Sequence, residues 1–117
     1  MDAVEEPYAV VSAMSDAVLR GDLDTALKLI SDDAVDHAAL PGAPRGHQGW
    51  AAKWRQLAAG AEGMSTTVEQ RISQGDIVAT RYRIARADTG ESLGFALDII
   101  RVQDGKVAEH WALPLPG

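Results

Sequence analysis

Asp98 is the one carboxylate in a run of apolar residues, with Phe95, Ala96, Leu97, Ile99, Ile100 and Val102 around it. His110 follows across a turn at Gln103-Asp104-Gly105. A carboxylate beside an imidazole in apolar surroundings does one of two things. It forms an ion pair that fixes strand register, or it makes an acid/base centre at the floor of a pocket. Desolvation raises a carboxylate's pKa and a neighbouring imidazolium lowers it, so opposed effects can tune the pair for proton transfer near neutrality. The residues alone leave both readings open.

Register decides whether the two meet. A three-residue turn with Gly105 left-handed pairs Val102 with Lys106 and sets Asp98 directly opposite His110, about 5 Å apart at Cβ. A two-residue turn at Asp104-Gly105 pairs Gln103 with Lys106 and sets Asp98 against Trp111 instead. The three-residue turn is the expectation.

Other side chains are candidates for a ligand wall. His37 ends a short strand at the mouth of a Pro/Gly loop and is expected to face the cavity, with Asp36 alternating into solvent. Trp50 and Trp54 share a helix face and suit either core packing or a flat ligand. Tyr8 and Tyr82 sit among apolar neighbours, so each hydroxyl needs a partner or a ligand. Trp111 reads as core or interface, and Arg81 and Arg83 as outer-face residues. That placement weakens an epoxide-hydrolase reading, which wants an arginine between pocket acids. His47 beside Arg45 reads as a surface or capping residue. The three histidines, at 37, 47 and 110, lack metal-ligand spacing, and no metal site or other cofactor is expected.

These side chains need elements to hold them. Pro7 suits the first turn of a helix, and Tyr8, Val11, Met14 and Val18 continue an apolar stripe that ends at Gly21. Asp22 reads as the N-cap of a second helix with Leu23, Ala26, Leu27 and Ile30 on its apolar side. A third helix is expected over 47–59, with Trp50, Trp54 and Leu57 on one side and Lys53, Arg55 and Gln56 on the other. After residue 63 the period changes to two: Met64, Thr66, Val68, Gln70 and Ile72 form the more apolar face of a strand. Turns at 74–76, 88–91 and 103–105 separate further strands, and Pro114 and Pro116 are expected to stop the last one. The plan is α+β: three N-terminal helices packed on one face of a curved antiparallel sheet.

Both faces of 93–102 are apolar, and helices cover one side of a sheet. The other side, with Phe95, Leu97 and Ile99, is expected to be covered by a second copy of the chain in a homodimer. The 117 residues fit one domain, 1–117, with a net charge of −6 from 11 Lys+Arg and 17 Asp+Glu. The cations are scattered, so nucleic acid is not an expected partner. With no cysteine there is neither a disulfide framework nor a thiolate metal site. No apolar run is long enough to span a bilayer and no signal peptide opens the chain, so a cytoplasmic location without a membrane partner is expected. Ala, Gly, Asp and Arg richness without Asn suggests a bacterial gene.

Three stretches, GDLDTALKLISDDAVDH (21–37), RGHQGWAAKW (45–54) and LDIIRVQDGKVAEHW (97–111), resemble the nuclear transport factor 2-like superfamily, and within it the SnoaL-like polyketide cyclases. The resemblance covers nearly the whole chain and implies a cone-shaped α+β barrel, cystatin-like in its sheet, with an internal hydrophobic pocket. It implies that Asp98 is the general base of an intramolecular aldol closure and that His37 and His110 line the cavity. The expected ligand is an apolar or aromatic carbonyl compound of polyketide type. Asp98 would take its α-proton; His110 would orient Asp98 and return a proton. Because this superfamily hosts many activities, a related isomerase, hydratase or epoxide hydrolase, or a non-catalytic ligand-binding protein, is the alternative.

Overall fold

The computed structural model describes residues 6–39, 41–44, 46–60 and 62–115. Helix α1 (Pro7–Leu19) begins on its proline and buries Val10, Val11, Met14 and Ala17. Gly21, at φ 79°, breaks it. Asp22 then accepts a hydrogen bond from the Thr25 N–H at 3.2 Å, which caps α2 (Leu23–Lys28). The apolar stripe expected to run to Ile30 ends at Lys28. Ile30 instead opens strand β1 (Ile30–Asp36), fully buried. Its branched side chain suits a covered strand better than a helix end.

Helix α3 (His47–Gly60) follows the Pro/Gly loop, and one contact with β1 and one with the loop fix its start. The His47 Nε2 lies 2.8 Å from the Ile30 carbonyl oxygen and donates to it. A Cβ on Gly49 would run into the Pro44 carbonyl, so the loop folds against the helix where no side chain fits. The rest of the chain is strand: β2 (Met64–Gln74), β3 (Ile77–Arg86), β4 (Ser92–Gln103) and β5 (Lys106–Leu115). The order across the sheet is β1-β5-β4-β3-β2. The last four strands form the expected antiparallel meander, and β1 adds a parallel edge strand against β5.

The expected helices lie on one face of the curved sheet. Helix α1 packs across β2, β3, β4 and β5, while α3 packs on β1 and α2. Between these layers Val11, Ile30, Val78, Ile100 and Val107 are fully buried, each contributing about 1.5–3 kcal/mol by leaving water. Pro114, read from sequence as a strand stop, lies inside β5 opposite Ala96. The pairing of β1 with β5 ends at His110. Beyond it one edge of β5 has no strand neighbour among the described residues, and a missing N–H is tolerated on such an edge. Pro116 lies outside the described residues. Among those described, no helix is long and apolar enough to cross a membrane.

Candidate active site

The β4–β5 hairpin departs from the expected register. Gln103 pairs with Lys106, so the turn is the two-residue Asp104-Gly105, with both residues left-handed at φ 53° and 75°. An Asp-Gly pair supplies that geometry at low cost. The register then shifts between Arg101 and Val102, where Ala108 is the extra residue on β5. This bulge moves every later pair by one. Asp98 is thus opposite Ala112, and Ile100 is opposite His110. Asp98 and His110 still share the inner face, one diagonal step apart, and His110 Nε2 lies 3.4 Å from Asp98 Oδ2.

Two further groups complete a charged cluster around His110. Its Nδ1–H donates to Asp36 Oδ1 at 2.9 Å, and Lys53 donates to the other Asp36 oxygen, Oδ2. Asp36 arrives there because β1 pairs in parallel with β5, which sets Asp36 beside His110. Lys53 arrives from α3, one turn after Trp50. Its ammonium lies over the Trp50 ring, 5.1 Å from the indole centroid. Trp50 also packs against the His110 ring at 5.4 Å, and Trp54 meets Trp50 edge-on at 5.7 Å.

Two expectations are overturned. Simple alternation sends Asp36 to solvent and helical spacing sends Lys53 to the outer side of its helix, but their side chains are 6% and 8% exposed. Asp36 shares the face of Ala34 on β1, which is buried. The ion pair is what makes burial of both charges tolerable.

Burial acts against the charge on Asp36, but hydrogen bonds from His110 and Lys53, with their charges, outweigh it and hold the carboxyl at about 2. Burial likewise works against a protonated His110. The hydrogen bonds to Asp36 and Asp98 and the charge of Asp98 prevail over it and over the repulsion from Lys53, so the His110 pKa is raised. An imidazolium with an N–H toward each of two carboxylates is the state these contacts favour.

Asp98 itself is held at one oxygen. The Tyr82 hydroxyl donates to Oδ2 at 3.3 Å. The second oxygen, Oδ1, is buried without a hydrogen-bond partner among the described residues, as are Trp50 Nε1 and Arg71 Nη2. Burial and the Asp98 charge both raise the pKa of Tyr82, which keeps its proton available for donation.

Arg71 enters from β2 by another departure from simple alternation. The pairing of β2 with β3 shifts between Val68 and Gln70, leaving Glu69 bulged. Beyond that point the faces exchange. Ile72, expected on the apolar side, is 69% exposed. Arg71 turns inward, donating from Nε to Thr80 Oγ1 at 2.9 Å and from Nη1 to Ser12 Oγ on α1 at 2.8 Å.

Of the ligand-wall candidates, Trp50, Trp54 and Tyr82 are brought to the inner face with Asp98 and His110. Tyr8 is not: it lies exposed in the first turn of α1. His37 is not either. Its ring stacks on Trp111 at 4.9 Å and 9° on the outer face, with Nε2 2.9 Å from Glu109 Oε2. It follows Asp36 directly at the end of β1, where the chain still alternates and His37 points the other way. His37, Leu97, Ile99, Trp111 and Leu113 line an apolar groove of about 270 Å³ there. Arg81 lies against Phe95 on that same outer side, as expected. Among the described residues no group of His, Asp and Glu is arranged to hold a metal ion.

A model of the SnoaL-like domain family matches residues 11–110. The chain is similar to IdmH of Streptomyces antibioticus, named as a candidate polyketide cyclase. The two are 30% identical with a TM-score of 0.76, over 92% of this chain and 91% of IdmH. A loop-truncated variant of IdmH aligns with a TM-score of 0.79 over 93% and 92% of the two chains. A Mesorhizobium loti protein of the same nuclear transport factor 2-like fold is 24% identical, with a TM-score of 0.75 over 97% and 94%. No curated protein matches by sequence.

Proposed function

The chain belongs to the SnoaL-like domain family, and on that premise we propose that it is an acid/base enzyme that closes a ring in a polyketide-like carbonyl compound by an intramolecular aldol reaction. One observation carries this reading: Asp98 has one carboxylate oxygen held by Tyr82 and His110 and the other buried with no hydrogen-bond partner among the described residues. A carboxylate oxygen left unsatisfied inside a fold calls for an explanation, and a proton-accepting role supplies one.

In the proposed reaction Asp98 Oδ1 takes the acidic α-hydrogen, and the enolate attacks a carbonyl carbon of the same molecule. The alkoxide so formed takes the proton from His110 Nε2. Transfer from protonated Asp98 back to His110 across their 3.4 Å contact restores both groups, so the product is an isomer of the substrate. Asp36 and Lys53 are positioning residues: they fix the Nδ1–H of His110 and aim Nε2 at Asp98. Acid/base catalysis of this kind contributes about 10²–10⁴ in rate, and folding the substrate adds more by proximity. The same proposal includes a homodimer through the outer sheet face, which carries the exposed Ile99, Trp111 and Leu113.

The test is deuterium uptake from D₂O at the α-carbon of a panel of aryl 1,3-diketones, followed by proton NMR. The native chain should accelerate exchange, and folded Asp98→Asn should lose at least roughly 10²-fold of that acceleration. Binding of these compounds without exchange would replace this reading with that of a ligand-binding protein, and accelerated exchange unaffected in the variant would remove Asp98 as the base.

A further inference from the structure

The inner face holds a second set of polar side chains that proton transfer between Asp98 and His110 leaves unused. Thr80 is fully buried and Ser15 is 5% exposed, and with Ser12, Arg71 and Tyr82 they occupy ground between α1 and the sheet where apolar residues would be expected. Arg71 is at their centre. Two of its nitrogens are fixed by Thr80 and Ser12, both neutral. The third, Nη2, is buried without a hydrogen-bond partner among the described residues, while the guanidinium lies near enough to the Tyr82 hydroxyl to work against the rise in its pKa. Lys53 spends its charge on Asp36, and His110 lies between Asp36 and Asp98. Arg71 has no ion pair among the described residues, although a guanidinium stays charged at every physiological pH.

Its position relative to Asp98 follows from the ladder. Arg71 pairs with Thr80, and Thr80 pairs with Asp98, so the three stand in one row across β2, β3 and β4. Two strand spacings put the backbones of Arg71 and Asp98 about 10 Å apart, with the buried Thr80 between them. Tyr82 stands beside this row with its hydroxyl on Asp98. An unpaired cationic nitrogen and an unpaired anionic oxygen, both closed to solvent, thus belong to one row of the sheet among the described residues, with Thr80 between them and the Tyr82 hydroxyl at the Asp98 end.

We propose that Arg71 recognises an anionic oxygen of the ligand, a carboxylate or an enolate, through Nη2, while the ligand's acidic hydrogen lies at Asp98 Oδ1. The inference rests on the inner face being a small-molecule site, not on Asp98 acting as a base. The guanidinium fork is well suited to such recognition. With Nε and Nη1 anchored, the direction of Nη2 is set before the ligand arrives. A purely structural clamp between α1 and β2 would make the same two anchoring bonds but would be indifferent to ligand charge.

That difference is measurable by isothermal titration calorimetry at pH 7 with 2-naphthoate and its neutral isostere 2-naphthamide, and with 2-naphthol followed by the absorbance of its anion. A carboxylate subsite gives at least tenfold tighter binding of naphthoate than of the amide. An enolate subsite gives naphthol bound as its anion. In Arg71→Gln either preference should vanish while amide affinity stays. Arg71→Lys keeps a charge without the fork and should lose most of the preference; it decides the matter if the Gln variant does not fold. Equal affinity for charged and neutral probes in the native chain, no saturable binding of any probe, or a preference unchanged in the folded variants would overturn the proposal. Anion preference with no effect of Asp98→Asn on exchange would remove the base and leave the subsite. The reverse pattern would do the opposite.

Discussion

His110 and Asp98 meet diagonally across the β4–β5 ladder: the two-residue turn alone would set Asp98 against Trp111, and the bulged Ala108 shifts the pairing once more and turns His110 to the face of Asp98. The diagonal leaves Ile100 as the residue opposite His110, and the imidazole reaches Asp98 with Nε2 while Nδ1 stays on Asp36. Each carboxylate therefore acts on a different ring nitrogen, and their effects on the ring can be separated by substitution.

Asp98→Asn removes one of the two partners that raise the His110 pKa. Its titration, followed by the ring carbon-bound proton in NMR, should move to lower pH than in the native chain. The fold should persist, because amide and carboxylate are alike in size and Tyr82 can still donate. An unmoved His110 titration would mean that the 3.4 Å contact has no electrostatic weight.

Asp36 and Lys53 should behave as a unit. Breaking a buried pair strands the other charge and costs about 3–5 kcal/mol, so Asp36→Asn and Lys53→Met should each lower the urea midpoint sharply. The double variant should recover part of the loss, since no charge is then left alone at that place. Additive losses in the double-variant cycle would show that the two do not interact.

Stability should pass through a maximum on the acid side of neutrality. The Asp36 carboxyl lies at about 2 in the fold against an ordinary 3.8. Its contribution, of order 2 kcal/mol, is complete above about pH 4 and disappears as pH falls through about 2. The His110 pKa is raised above its ordinary 6.5, so its contribution is complete below that value and is lost as pH rises through the folded pKa. Urea midpoints measured from about pH 2 to about pH 9 should be highest near pH 5. Proton return to the alkoxide needs protonated His110, so turnover should also decline as pH rises through the same pKa.

The outer groove gives a prediction that leaves the inner face untouched. Leu113→Glu places a carboxylate among Ile99, Trp111 and Leu97 on that face. In light scattering after gel filtration the native chain should run as a dimer and the variant as a monomer. The His110 titration should be unaltered. A native chain that is monomeric at about 100 µM would remove the dimer from the proposal.

Local signals carried much of the fold into view. Pro7, Asp22 and the stripe between them announced α1 and α2, and the change to a period of two after Gly63 announced the meander. Asp98 stood out because charge inside an apolar strand is costly enough to need a reason. Less legible were the features decided by single extra residues. Ala108 and Glu69 each reverse the faces downstream, so Val107 and His110 both point inward, and Arg71 replaces Ile72 at the core. A bulge has no strong composition, and simple alternation misassigns everything beyond it. Asp36 and Lys53 were assigned to solvent for another reason. Their burial depends on the parallel pairing of β1 with β5, a contact between residues 74 apart in the chain, and nothing in the neighbourhood of either residue records it. The Ala34–Asp36 spacing was the one available hint.

The Glu69 bulge has a consequence for how the chain behaves in a crowd. β2 ends the sheet, and its outer row of N–H and C=O groups has no neighbour among the described residues. A long, regular strand in that place would invite a second molecule to add its own strand and start an aggregate. The kink at Glu69, with a carboxylate at the irregular position and a cationic side chain beyond it turned under the sheet, interrupts the template midway. The device that brings Arg71 inside also makes the rim of the molecule a poor seed for polymerisation.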